Sequence, residues 1–146
     1  DARVLTIRDV VKPNLNAGRH IITDRYAAST RAYECAGMGV DWKIARKIHL
    51  DRIGNFGPDL TYYLSVEMEE GLRRKARQKH NDSFDEESRP FHERVWTEYK
   101  RIYKENQNSK NIDPIFGLWI LIDTNVSLEQ VREQLLQKTR EYLTLC

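Results

Sequence analysis

The sequence is poor in cysteine, proline and glycine, has no long apolar run, and shows no marked excess of either charge. Among its 146 residues are 2 Cys, 4 Pro and 7 Gly. The two cysteines, Cys35 and Cys146, form neither a disulfide framework nor a metal-ligand spacing, so a reducing compartment, the cytoplasm, is expected. Scarce Pro and Gly exclude a collagen-like or low-complexity chain. No apolar run approaches the roughly 20 residues that cross a bilayer. Asp1-Ala2-Arg3 also does not begin a basic start followed by an apolar stretch, so neither a membrane nor a secreted protein is expected. Lys and Arg number 24 against 22 Asp and Glu, a formal net charge of +2. Nucleic-acid surfaces gather a strongly basic face, and this mixed balance argues against one. It leaves room for a few arginines at a pocket for a small phosphate ester.

Hydrophobic residues make up 40% and charged residues 32%, the balance of a chain that buries one core. A single domain over residues 1–146 is expected. Apolar spacing predicts a helix over Val4 to Ala17 stopped at Gly18, then a short β-branched strand His20 to Thr23. Helices over Ala27 to Glu34 and Asp41 to Ile53 follow, and Gly54, Gly57 and Pro58 break the chain before a strand Leu60 to Val66. A helix from Glu67 to Lys79 is acidic at its start and basic at its end, which suits the helix dipole. Pro90 to Glu105 reads as a helix, Asn106 to Pro114 as a loop, and Leu118 to Ile122 as the third strand. Ser127 and Gln130 make a capping box opening a last helix. Strands separated by helices predict an α/β fold with a parallel sheet. Continuously apolar strands predict helices on both of its faces.

In such sheets ligands bind beyond the carboxyl ends of the strands. Asp24-Arg25 follows the first predicted strand, Glu67 the second and Asp123-Thr124-Asn125 the third. A guanidinium beside a carboxylate suits a phosphate, with the carboxylate orienting it or reaching a metal's water shell. The alternative is a local Asp24–Arg25 ion pair closing the strand. Arg73, Arg74 and Arg77 with the following loop, residues 79–90, read either as a basic lid over phosphates or as a solvated helix end. The four histidines share no catalytic or metal spacing. Trp42, Trp96, Trp119 and the stripe Phe91, Trp96, Tyr99, Tyr103 read as core.

Four stretches carry a resemblance. They are Pro13 with Leu15 and Gly18; Ile21-Ile22-Thr23-Asp24-Arg25-Tyr26 with Ser29-Thr30 and Ala32-Tyr33; Gly37 with Gly39; and Pro58-Asp59-Leu60-Thr61 with Tyr63-Leu64. In order and spacing they resemble the thymidylate kinases, which move the γ-phosphate of ATP to dTMP with magnesium. The resemblance implies a P-loop nucleotide-kinase fold. It implies that Arg3 meets the thymine base, Arg25 the nucleotide phosphate with Asp24 beside it, Ser29 and Thr30 the base, and Tyr33 the sugar where a ribose hydroxyl would sit. Arg73, Arg74 and Arg77 fall before the lid, Arg74 in a catalytic role, and Asp123, Thr124 and Asn125 fall at the ATP border. ATP, Mg²⁺ and a homodimer are implied, with the apolar face of Val4 to Leu15 as the interface candidate; no metal ligand is assigned directly.

The chain departs from the family where Glu34 stands for a common Gln and Asp82-Ser83 for an Asp-Arg pair. It also contains no G-x-x-x-x-G-K-[ST]. In this fold the P-loop strand lies between the strands matching His20 to Thr23 and Leu60 to Val66. Its absence would leave buried edge groups unpaired at about 1–3 kcal/mol each. The expectation is therefore the C-terminal portion of a longer kinase, inactive on its own. Another nucleoside or nucleotide kinase, or a nucleotide-binding module without turnover, are the alternatives.

Overall fold

The computed structural model describes residues 2–77 and 88–145. The chain opens with one helical rod: α1 (Ala2–Thr6), a π-helical stretch (Ile7–Val11) and α2 (Lys12–Asn16). Both joints stay in right-handed helical geometry, so only the winding changes. The wider turn falls just ahead of Pro13, whose ring would press on a carbonyl four residues earlier in a regular α-helix. Gly18 ends the rod as expected. Its φ of +73° suits glycine, its N–H donates to the Leu15 carbonyl at 2.9 Å, and the Arg19 N–H donates to Asn14 at 3.0 Å.

The predicted strand at His20 to Thr23 is not one. The segment joins no ladder, and Ile22 is 99% exposed. A strand is a pairing, and β-branched composition alone supplies no partner. The helix expected over Ala27 to Glu34 forms as α3 (Ala27–Ser29) and a second π-helical stretch (Thr30–Gly37), longer than predicted and wound differently. α4 (Trp42–Ile53) is capped by Asp41, whose side chain accepts from the Lys43 N–H at 2.7 Å.

Among the described residues the sheet has two parallel strands where three are expected: β1 (Leu60–Ser65) and β2 (Leu118–Asp123), paired from Leu60 with Leu118 to Ser65 with Asp123. Between them lie α5 (Met68–Arg77) and α6 (Arg89–Asn108), and α7 (Leu128–Leu145) follows β2. Tyr63 stacks on Tyr99 of α6, and its neighbour Tyr62 shares a 2.5 Å hydroxyl hydrogen bond with Thr139 of α7. Successive strand residues face opposite ways, so α6 and α7 cover opposite faces as expected. Ala27, Ile102, Ile115, Phe116 and Trp119 form the main core.

α6 runs three residues past the predicted Glu105 and thereby finishes the outer edge of β2. Asn106 accepts from the Trp119 N–H at 3.0 Å, Gln107 donates to the Trp119 carbonyl at 2.9 Å, and Gln134 of α7 clamps the N–H and carbonyl of Asp123 at 3.0 Å each. Amide side chains thus satisfy backbone groups that an open edge would leave bare. No comparable run of amides covers the other edge of β1 among the described residues. The capping box forms: Ser127 N–H donates to Gln130 Oε1 at 3.0 Å, and Gln130 N–H to Ser127 Oγ at 3.3 Å.

Candidate functional site

One cluster is built where α3 and its π-helical continuation pack on α6. Arg25 has a φ of +67°, rare for a residue with a side chain and a form of strain that concentrates at working sites. The Thr23 hydroxyl donates to its carbonyl at 3.2 Å. Its guanidinium lies 4.6 Å from the centre of the Tyr33 ring, and Nη2 donates to the Tyr33 hydroxyl at 3.3 Å. Arg25 makes no ion pair with Asp24, so the strand-closing alternative is not what forms. The arginine is turned toward Tyr33 and remains exposed.

Tyr33 leans on Phe91 and Tyr99, with ring centres 6.1 and 6.2 Å away. Gly37 makes that support possible, because a Cβ there would stand 2.4 Å from Phe91 Cε2. The Ser29 hydroxyl shares a 2.8 Å hydrogen bond with the Tyr99 hydroxyl. Burial, foremost, raises the Tyr99 phenol pKa; the Ser29 hydrogen bond and the charge of Arg25 act against it and that of Asp24 with it. Tyr99 therefore stays protonated and both residues of the Asp24-Arg25 pair lie within electrostatic reach of it. Arg3 Nη2 donates to Thr30 Oγ1 at 3.0 Å, while its guanidinium sits 5.4 Å from the Tyr26 ring centre. Arg25, Tyr33 and Ser29 are thus linked through Tyr99, and Arg3 and Thr30 form a second group beginning at the next residue after Ser29.

Arg31 fixes this wall to α6. Nε donates to Glu98 at 2.7 Å, and Nη1 and Nη2 hold Glu105 at 2.8 and 3.1 Å. Burial works against its charge, but the two glutamates outweigh that effect and raise its pKa.

A second cluster lies at the exits of β1 and β2. The Thr124 N–H and hydroxyl both donate to the Ser65 carbonyl, at 2.9 and 2.7 Å. Asp123 accepts from the N–H and side-chain amide of Asn125 at 2.8 and 2.9 Å. Asn125 in turn accepts from the Glu67 N–H at 3.3 Å. Arg74 Nη2 donates to the Thr124 carbonyl at 2.9 Å, bringing α5 onto this turn. Arg73 pairs with Glu70, and Arg77 stands exposed at the end of α5. The predicted lid, residues 79–90, falls mostly on residues outside those described, as do His80 and Asp82-Ser83.

No three His, Cys, Asp or Glu side chains gather as a ready cation cage among the described residues. Asp24 offers one exposed carboxylate. No helix among the described residues is long and apolar enough to cross a membrane.

Phe91 and Tyr99 are core, as their spacing predicts, and they also support Tyr33. Sequence reasoning misses two contributors, Glu70 and His49. Glu70 looked like one of three helix-start acids. His49 looked like filler, yet it is buried edge-on to Tyr26 at 5.8 Å. Burial first, then Arg3, depress its pKa and keep it neutral. Only Glu70 left a local signal, its three- and four-residue spacing to Arg73 and Arg74.

The family model described as thymidylate kinase matches residues 1–135. A thymidylate kinase of Idiomarina loihiensis is 34% identical over 142 residues, 97% of this chain and 64% of the relative. Thymidylate kinases of Legionella pneumophila strains Corby and Paris are each 30% identical over 142 residues, 97% of this chain and 62% of theirs. The chain therefore spans less than two thirds of the length of these curated relatives.

Proposed function

Because the chain belongs to the thymidylate kinase family, we propose that the protein it comes from transfers the γ-phosphate of ATP to dTMP, giving dTDP. The observation that carries this reading is the Arg25–Tyr33 pair, a guanidinium held on a strained backbone against a phenol ring. Arg25 offers an exposed planar fork to the acceptor phosphate. Tyr33, braced by Phe91 and Tyr99, forms a wall beside it that a sugar bearing a 2′-hydroxyl would meet. Arg3 and Thr30, already hydrogen-bonded to one another, and Ser29 are the polar groups for the base.

Phosphoryl transfer needs little covalent help from a protein, so positioning and charge neutralisation supply most of the rate. Magnesium, when bound, neutralises phosphate charge; Asp24 is the residue here that would reach its water shell. Arg74, with Arg73 and Arg77, would face the ATP phosphates, and Asp123, Thr124 and Asn125 would border its adenine. The test is ATP-dependent phosphorylation by the complete protein with dTMP, dUMP, dGMP and thymidine offered in parallel. Preference for another acceptor would replace dTMP with a different nucleotide kinase reading, for which Glu34 is the motive. Arg25→Ala should raise the KM for dTMP about tenfold to a hundredfold, the worth of charge-assisted hydrogen bonds of about 1.5–3 kcal/mol. An unchanged KM would remove Arg25 from the site.

The expectation of a longer kinase is retained as part of the proposal. The asymmetry of the sheet supports it: β2 has its outer edge capped by Asn106, Gln107 and Gln134, and β1 has no such cover among the described residues. A strand from elsewhere in the protein, pairing with β1, would satisfy that edge. Exposed Leu5, Val10 and Leu15 on the first helical rod remain the candidate face for a homodimer, which light scattering on the complete protein would detect.

A further inference from the structure

Glu70 holds two arginines at once. Its Oε2 accepts from Arg73 Nε at 2.7 Å and also from Arg73 Nη2, and its Oε1 accepts from Arg74 Nε at 2.7 Å. Consecutive helical residues point about 100° apart, so Arg73 and Arg74 would not meet on helical geometry alone. A carboxylate three and four residues earlier draws both to one side. Arg74 is fixed a second time, by its 2.9 Å bond to the Thr124 carbonyl, and Thr124 is itself tied to the end of β1. In both arginines Nη1 has no hydrogen-bond partner among the described residues, and the side chains are 56% and 43% exposed. Two guanidiniums on one carboxylate leave the trio one positive charge, with its remaining N–H groups open to solvent beside the strand exits.

We propose that Glu70 is a positioning residue that sets Arg73 and Arg74 as a two-pronged clamp for the phosphate chain of a nucleoside triphosphate. The proposal rests on the reading that these arginines serve ATP. Hydrogen bonds from Arg74 and then Arg73 hold the Glu70 carboxyl below its ordinary pKa, so it stays charged near neutrality. An ordinary surface pair would look the same locally but would do nothing for triphosphate binding.

The experiment is steady-state kinetics on the complete protein, varying ATP at saturating dTMP and dTMP at saturating ATP. It compares the wild type, Glu70→Gln, Glu70→Asp and the double variant Arg73→Ala/Arg74→Ala, with a thermal melt of each. Glu70→Gln is expected to raise the KM for ATP about fivefold to tenfold. It should leave the KM for dTMP and the melting temperature near wild type. Glu70→Asp, which keeps the charge, should recover part of the loss and supplies the measurement if the Gln variant folds poorly. An unchanged or lower KM for ATP in Glu70→Gln, beside a raised one in the double variant, would overturn the positioning role and leave the arginines' role standing. Equal rises in both KM values with a lowered melting temperature would reduce Glu70 to a structural part and likewise overturn it. A double variant with wild-type KM for ATP would overturn the arginine reading, and the proposal with it.

Discussion

Replacing Arg31 by Met tests how the acceptor wall is fixed to α6. The long apolar side chain keeps the length of the stem and removes the guanidinium, whose Cζ lies 5.5 and 5.9 Å from the Trp42 and Phe116 ring centres, together with its charge and hydrogen bonds. The Arg31 side chain is 9% exposed and that of Glu98 13%, whereas Glu105 is 47% exposed. Losing Arg31 leaves the Glu98 carboxylate with only its 3.8 Å ion pair to exposed Arg101, so the cost should fall at or below the about 3–5 kcal/mol that breaking a buried pair takes. Glu105 faces water, so Glu105→Gln should cost no more than about 1 kcal/mol. The double variant Arg31→Met/Glu98→Gln removes the stranded charge and should recover about 1–3 kcal/mol relative to the sum of its single changes. Urea unfolding of the complete protein and of these variants, with Glu98→Gln alone to close the cycle and the denaturant slope required to stay constant, reads all three numbers. Additive costs for Arg31 and Glu98, or a Glu105→Gln variant as damaged as Arg31→Met, would refute the reasoning.

Gly37→Ala puts a methyl 2.4 Å from Phe91 Cε2, so Phe91 must move. It should cost about 1–3 kcal/mol, as overpacking does, and raise the KM for dTMP more than that for ATP by loosening Tyr33; an unchanged KM for dTMP would sever Phe91 from the site. Acid stability follows Glu105, whose pKa is lowered chiefly by its hydrogen bonds from Arg31. The unfolded chain binds the proton first, so this contribution is present above the ordinary value of 4.5 and is lost as pH falls through the depressed one. Wild type should therefore lose stability more steeply than Glu105→Gln on going from about pH 5 to about pH 3, and parallel curves would count against the assignment.

The sequence alone determined what depends on neighbours along the chain. Gly18 ended a helix because only glycine takes its backbone angle without cost, Asp41 and Ser127 capped helices they immediately precede, and the apolar runs Leu60 to Leu64 and Leu118 to Ile122 became strands in parallel. The resemblance also pointed to Arg25, Tyr33 and Ser29, which lie in contact through Tyr99, and to Arg3 and Thr30, which share a hydrogen bond. Tertiary structure decided the remainder. His20 to Thr23 has strand composition but joins no ladder among the described residues, and it is exposed. Tyr99 shares its spacing with the core residues Phe91, Val95 and Ile102, and only the approach of Ser29, seventy positions away, turns its hydroxyl to use. Arg31 is one of many arginines until Glu98 and Glu105 close on it. Backbone angles and caps are local energies and can be read locally. Pairing, burial and shared charges exist only when distant segments meet, and in this chain they supply the support of Tyr33 and the grip on Arg74.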